Sequence, residues 1–396
     1  MIIYKITMLG HKDHGKSTML GSLLMATGAV TDERVREARR ISKELGRNFE
    51  PGFILDAFSE EREGGLTIDT TRAELKYKGA GFEFIDVPGH EELIKNMLTG
   101  ASNATAALLA VSAAEGEGIT SQTKRHLFIA KMLGISKIAV AVNKMDVANY
   151  SRERFERIAS ELSAYLKRIG YGDGDFGFVP VSAYLNENLV SRSKKMKWYD
   201  GPVLMDLIMR AASAPKRSKR GARILMLGRI DNMATGKVIS GVFSEGDILS
   251  FFPGGKKAAM PKMIVGGRKK SKAKAGESIA APIRIRDIEG KIGCINGDAP
   301  IVSRTFKAKI FASARIPKNA RIVINGVSMA AKIGKIKVID TATGEESMRK
   351  LKPLDAAAAE ITLEKDAAFE RFSDFEELGR FTIYSANDFA GFGIVE

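Results

Sequence analysis

Short apolar runs alternate with helix-periodic stretches through the first half of the chain. Residues 2–9 (IIYKITML), 82–87 (FEFIDV), 106–113 (AALLAVSA), 137–143 (KIAVAVN) and 176–183 (FGFVPVSA) are brief and rich in β-branched or aromatic side chains, as buried strands are. Between them, 15–27 (GKSTMLGSLLMAT), 90–100 (HEELIKNMLTG) and 151–170 (SRERFERIASELSAYLKRIG) read as helices. That alternation predicts a parallel sheet with helices on both faces. Near residue 214 the pattern changes. Segment 213–221 (SAPKRSKRG) is polar and basic, is punctuated by Pro215 and Gly221, and reads as a linker. Beyond it come short strands separated by glycines, at 237–243, 246–252, 277–285, 306–313, 320–326, 330–339, 360–365 and 379–385. Many short strands at this spacing predict two compact β-barrels or sandwiches. The expected division is an α/β domain over 1–213, a basic linker over 214–222, and barrels over 223–302 and 303–396. No internal repeat is visible.

Composition changes this picture in two places. With 396 residues, 44% hydrophobic and 28% charged, the chain is an ordinary globular protein with room for two or three cores. No apolar run of about 18 residues suggests a membrane span. The N-terminal MIIYKITMLG has no leader pattern, and the single cysteine, Cys294, cannot form an internal disulfide, so the cytoplasm is the expected compartment. The net charge of +15 is uneven: residues 215–337 hold 27 Lys or Arg against 7 Asp or Glu, while 338–396 hold 6 against 13. A block of that sign attracts a polyanion, RNA first among candidates, or is a solvated surface that aids solubility.

The chemistry is concentrated at predicted strand tips. Residues 10–18 (GHKDHGKST) place Gly10, Gly15, Lys16 and Ser17 in a complete G-x-x-x-x-G-K-[ST] pattern, after a strand and before a helix. His11, Lys12, Asp13, His14 and Thr18 complete the loop. Its backbone N–H groups and the helix N-terminus suit phosphates, with Lys16 between the β- and γ-phosphates and the Ser17 hydroxyl on Mg²⁺. DVPGH at 86–90 ends another strand. Asp86 there suits Mg²⁺ through water, and Gly89 lets a backbone N–H meet the γ-phosphate, although a lone DxPG is also a common Asp-initiated turn. NKMD at 143–146 ends a third strand: Asp146 can accept from both guanine N–H donors, with Asn143 and the Lys144 stem walling the base. Ser182, Ala183 and Tyr184 follow a fourth strand, where a backbone N–H can meet the guanine carbonyl. Together the four tips imply a guanine nucleotide, GTP or GDP, with Mg²⁺.

With these motifs the chain resembles the translational GTPases. REGGLTIDT at 62–70 is similar to their first switch and DVPGHEELIKNMLTGAS at 86–102 to their second. The long stretch between Lys16 and Thr67, and KMKWYDGPVLMDLI at 195–208, resemble elongation factor 1 alpha rather than the shorter elongation factor Tu. The resemblance is tight over 3–210 and looser beyond. It implies a P-loop GTPase domain followed by two all-β barrels, Thr67 reaching Mg²⁺ in the GTP state, and His90 as the catalytic group that orients the attacking water. The implied partners are the ribosome and tRNA, with a guanine-nucleotide exchange factor or a tRNA-mimicking protein cargo as further candidates, and neither membrane nor DNA.

Two departures bear on mechanism. Lys12 stands where the family usually has a valine that, with an apolar partner (here Leu66), gates the catalytic histidine, and Gly64 replaces the usual switch arginine. The region before GKVISG, RILMLGRIDNMATGKVISG, is shorter than in relatives. The leading expectation is delivery of aminoacyl-tRNA to the ribosomal A site with GTP hydrolysis as the switch. The alternatives are a termination or ribosome-rescue GTPase and, from a different class, the GTPase subunit of ATP sulfurylase. The basic stretch 254–278 is expected on a barrel loop, making phosphate contacts because it has no aromatic residue for base stacking.

Overall fold

The computed structural model describes residues 3–44, 46, 48–55, 71–86, 104, 106–213, 221–295, 298–341, 343 and 345–396. The chain divides into two compact units, Met1–Pro215 and Lys216–Glu396.

In the first unit the described strands are β1 (Ile3–Leu9), β2 (Thr71–Tyr77), β3 (Ala80–Asp86), β4 (Ala106–Ser112), β5 (Ile138–Asn143) and β6 (Phe176–Pro180). They form one sheet in the order β2-β3-β1-β4-β5-β6. Every residue of β4 and β5 is buried, as expected for strands covered on both faces. The described helices are α1 (Lys16–Ala26), α2 (Asp32–Glu44), α3 (Ser121–Met132), α4 (Arg152–Arg168) and α5 (Leu204–Ser213). Helix α4 shows how the sequence sets its own limits. The Ser151 hydroxyl accepts from Arg154 N at 3.1 Å, capping the start, and Lys167 and Arg168 complement the dipole at the end. Phe155, Ile158, Leu162, Tyr165 and Leu166 recur on one face and are buried.

The sheet is not wholly parallel, which corrects the sequence expectation. β2 runs antiparallel to β3, with Tyr77 opposite Ala80. The two are joined by Lys78 and Gly79 at φ 46° and 80°, a two-residue turn of the kind that closes hairpins. So short a link cannot make a parallel crossover. The expected helix over 90–100, the first-switch motif at 62–70 and residues 214–220 of the expected linker lie outside the described residues.

The second unit holds two β structures. The first contains β7 (Arg223–Ile230), β8 (Met233–Ser240), β9 (Val242–Ser244), β10 (Ile248–Phe252), β11 (Lys256–Ala259), β12 (Met263–Val265), β13 (Arg268–Lys270), β14 (Lys272–Lys274), β15 (Ser278–Ala281) and β16 (Ile292–Ile295). Eight of them run in the order β11-β10-β16-β7-β8-β15-β12-β13, and β14 pairs with β9. The basic stretch 254–278 is therefore not a loop, a second correction. It supplies four short strands whose apolar positions Met263, Val265 and Ala273 are buried in the core. Its strand signal was hidden because the intervening positions are lysines.

The second β structure contains β17 (Ile301–Ala312), β18 (Asn319–Ile324), β19 (Val327–Ile339), β20 (Glu346–Ser347), β21 (Ala356–Phe369), β22 (Arg380–Ser385) and β23 (Asp388–Val395). Their order is β18-β22-β23-β17-β21-β19-β20, and a further β18–β19 pairing closes it into a barrel without free long edges. Phe306, Phe369 and Phe381 meet in its core, with ring centroids 4.8 and 5.5 Å apart from Phe306. Phe375 packs instead with Ile292, Ala368 and Leu378, joining the two β structures, while Phe372 is half-buried under Arg380.

Candidate nucleotide site

The strand register brings the motif-bearing tips to one edge. Met8 of β1 lies opposite Asp86 of β3, Leu9 opposite Leu109 of β4, Ser112 opposite Asn143 of β5, and Val142 opposite Pro180 of β6. These are the carboxyl ends of parallel strands, where α/β sheets open their ligand crevices.

The loop after β1 needs its glycines. Gly10 has φ 133°, and a Cβ there would sit 2.4 Å from the Ala110 carbonyl oxygen. Gly15 has φ 78° and a Cβ would sit 2.5 Å from Asn143 Nδ2. Between them a 3₁₀ turn, Lys12–His14, carries the chain round, and α1 opens at Lys16. The Lys16 ammonium donates to the carbonyl oxygens of Gly10 and His11, both at 3.1 Å. It therefore lies within the arc of the loop. Ser17 and Lys12 are exposed, Thr18 is half-buried, and His11 and Asp13 approach at 3.5 Å. His14 is buried, 3.2 Å from the Ala110 carbonyl oxygen, and burial lowers its pKa, which keeps the ring neutral.

Asn143 ties three segments together. Its Nδ2 donates to His14 O and its Oδ1 accepts from Ala183 N, each at 2.9 Å. Ser22 of α1 adds a hydrogen bond from its hydroxyl to Ala183 O at 2.6 Å. Met145 N donates to Val181 O, Asp146 is half-buried at the head of the next loop, Ser182 bridges to Glu187, and Tyr184 is 51% exposed. Lys144 adopts φ 61°, and its ammonium meets both oxygens of Glu117, at 2.9 and 3.1 Å. Glu117 was not singled out from the sequence. Its only signal is an acid in the glycine-flanked stretch AEGEG, just beyond the tip of β4, the strand beside β5.

Gly10, His11, Lys12, Asp13, His14, Gly15, Lys16, Ser17, Thr18, Asn143, Lys144, Asp146, Ser182, Ala183 and Tyr184 thus gather at one edge of the sheet. Asp86 is the last residue of β3, but its side chain is outside the described set. Thr67, Gly89 and His90 also lie outside the described residues. The arc fits a nucleotide's phosphates: a backbone cradle that any Cβ would fill, with one ammonium inside it and a helix N-terminus behind. No three-residue metal cluster occurs among the described residues, and Mg²⁺ carried with a nucleotide's phosphates would need no acidic cage.

Residues 1–214 match the family "Elongation factor Tu GTP binding domain", and residues 306–396 match "GTP-eEF1A C-terminal domain-like". The chain is similar to elongation factor 1-alpha of Metallosphaera sedula, at 32% identity covering 98% of this chain and 96% of that protein. It is similar to elongation factor 1-alpha of Aeropyrum pernix at 34%, covering 98% and 95%. Its likeness to a crystal structure of sup35 complexed with GMPPNP, at TM-score 0.42 and 22% identity, adds nothing to these matches. The chain belongs to the elongation factor Tu and elongation factor 1-alpha family of translational GTPases, and as such it binds GTP or GDP with Mg²⁺ and hydrolyses GTP.

Proposed function

We propose that this GTPase carries aminoacyl-tRNA to the ribosomal A site in the cytoplasm and releases it when GTP is hydrolysed. The observation that carries this reading is end-to-end similarity to proteins named elongation factor 1-alpha, across 98% of the chain. We assign the GTPase domain to 1–213, a basic linker to 214–222, and the two barrels to 223–302 and 303–396. Lys16 binds the β- and γ-phosphates, and Ser17, Asp86 and Thr67 hold the metal. Asp146 reads the guanine, Asn143 and Lys144 wall it, and Ser182, Ala183 and Tyr184 close the base side. His90 orients the attacking water, and Gly89 meets the γ-phosphate. Bound Mg²⁺ supplies charge neutralisation at the phosphoryl oxygens. The chain's own part in hydrolysis is positioning: Asn143 ties the phosphate loop to the base loop through His14 and Ala183 without any nucleotide present.

The test is binding of GTP-loaded protein to aminoacyl-tRNA and to deacylated tRNA at two salt concentrations. A GTP-dependent preference for the aminoacylated form supports delivery. Equal binding of both that collapses with salt overturns it, and directs the search to a tRNA-mimicking protein cargo.

A further inference from the structure

We propose that Lys195 and Trp198 are positioning residues for guanine recognition, acting on Asp146 through Tyr150. The proposal rests on the reading above that Asp146 accepts from the two N–H donors of the base.

Asp146 stands on the turn that leads from β5 to α4, and that turn ends in Asn149 and Tyr150 at φ 51° and 56°. Two successive left-handed residues that carry a Cβ are strained, and such a turn persists only where its surroundings hold it. Within it, Asn149 N donates to Asp146 O at 3.2 Å, and Tyr150 N donates to Met145 O at 2.7 Å. The place of the Asp146 carboxylate is thereby tied to that of Tyr150.

Tyr150 is held from a segment 45 to 48 residues further along the chain. The Trp198 indole N–H donates to its carbonyl oxygen at 3.0 Å. The Lys195 ammonium donates to its hydroxyl, also at 3.0 Å, and lies 5.0 Å from the ring centre. Trp198 is braced in turn by Phe155 of α4 and by Tyr199, with ring centroids 5.5 and 6.3 Å away. The Tyr199 hydroxyl lies 3.0 Å from the carbonyl oxygens of Phe178 in β6 and of Pro202, so the clamp is anchored to the sheet.

Lys195 also faces the second base loop. Its ammonium lies 4.0 Å from Glu187 Oε1, and Glu187 exchanges backbone hydrogen bonds with Ser182 at 2.9 and 3.3 Å. The Tyr150 hydroxyl raises the pKa of this lysine first, and Glu187 and then Asp146 add to the effect. One cation is thus shared between the loop that reads the guanine edge and the loop that closes the base side. Residues 195–198 open the stretch KMKWYDGPVLMDLI, to which the nucleotide motifs assign no part in the site. A staple that only stabilised the fold would affect every nucleotide alike. A positioning role is selective: guanine offers Asp146 a ring N–H and an exocyclic amine, whereas hypoxanthine keeps the first and lacks the second. A displaced carboxylate cannot align with both donors, so the advantage of the amine shrinks.

The experiment measures the affinities of full-length protein for GDP and for inosine diphosphate in wild type, Lys195→Met, Trp198→Phe and Tyr150→Phe. Trp198→Phe keeps a ring against Phe155 and removes only the donor to Tyr150. In each variant the preference for GDP over inosine diphosphate should fall at least about threefold, through faster GDP dissociation. Lys195→Met combined with Tyr150→Phe should lose no more than the larger single loss, because both remove the same hydrogen bond. Lys197→Met, at an exposed position of the same segment, should keep the wild-type ratio. An unchanged ratio in either Lys195→Met or Trp198→Phe, or equal loss of both nucleotides, overturns the proposal. The base assignment is tested apart from it by Asp146→Asn, which should exchange GDP for xanthosine diphosphate, whose C2 carbonyl accepts from the new amide. If that exchange fails, the reading of Asp146 falls; if it succeeds while the ratios stay unchanged, only the positioning role falls.

Discussion

Glu117 grips the ammonium of Lys144 with both carboxylate oxygens, at 2.9 and 3.1 Å, across a separation of 27 residues. Lys144 is held at φ 61°, a conformation costly for a side-chain-bearing residue, so this ion pair helps fix the stem expected beside the base. Both partners are about one-third exposed, which limits the pair to about 1 kcal/mol after solvent screening. Glu117→Gln should therefore weaken GDP and GTP binding by up to about fivefold. Stopped-flow with a fluescent-labelled guanine nucleotide reads this as a faster off-rate; an unchanged off-rate would show that Lys144 needs no such partner.

The same carboxylate gives a pH dependence of defined sign. Its pKa lies below the ordinary 4.5, first because the Ser112 hydroxyl donates to it and then because of Lys144. A group depressed on folding contributes stability above its unfolded pKa and loses it as pH falls through the folded one. The melting temperature of wild type should exceed that of Glu117→Gln at pH 7, and the gap should close below about pH 4.5. A gap that persists to lower pH would place the effect elsewhere.

Asn143 is the joint between the phosphate loop and the base loop. Asn143→Ala leaves His14 O and Ala183 N without their side-chain partner in a buried site. Two such groups cost about 2–5 kcal/mol. Urea unfolding of the full chain should show a loss of that size for the first unit, and nucleotide affinity should fall more than about tenfold. Wild-type affinity in a destabilised protein would mean that the loops are held together by other bonds, such as that from Ser22.

What the sequence made legible follows from which residues have no substitute. Gly10 and Gly15 were readable because no other residue fits their φ values and their contacts with Ala110 and Asn143. β4 and β5 were readable because strands buried on both faces are apolar throughout. β2 was not, since it sits at the sheet edge with Arg72, Glu74 and Lys76 all exposed around the buried Leu75. The strands within 254–278 were masked in the same way by outward lysines. Arg223 was counted in the basic excess, yet it is fully buried. Its partner Glu370 lies 147 residues away, a separation no local pattern spans.

Lys12 lies in the turn of the phosphate loop with its side chain exposed. A cation there cannot form the dry gate that the family's valine provides. Lys12→Val should change the rate of GTP hydrolysis, either basal or ribosome-stimulated, while leaving GDP affinity near wild type. Single-turnover hydrolysis with and without ribosomes decides it, and identical rates in both conditions would remove any gating role from this position.

Arg223 and Glu370, both fully buried, join the two β structures of the second unit at 2.8 Å, with Asp298 3.1 Å from the same guanidinium. The Arg223 guanidinium also lies 5.3 Å from the centre of the Phe375 ring, in the apolar seam between them. Removing Glu370 leaves the buried guanidinium with only the half-exposed Asp298 as counter-charge, at a cost of up to about 3–5 kcal/mol. Glu370→Leu alone should destabilise the second unit by that amount in urea unfolding of the full chain. The double variant Arg223→Met with Glu370→Leu removes both charges and should recover most of the loss, because a well-packed apolar pair avoids desolvation altogether. If the double variant is as unstable as the single one, the seam depends on hydrogen bonds of Arg223 that methionine cannot make, with Asp298 the first to examine.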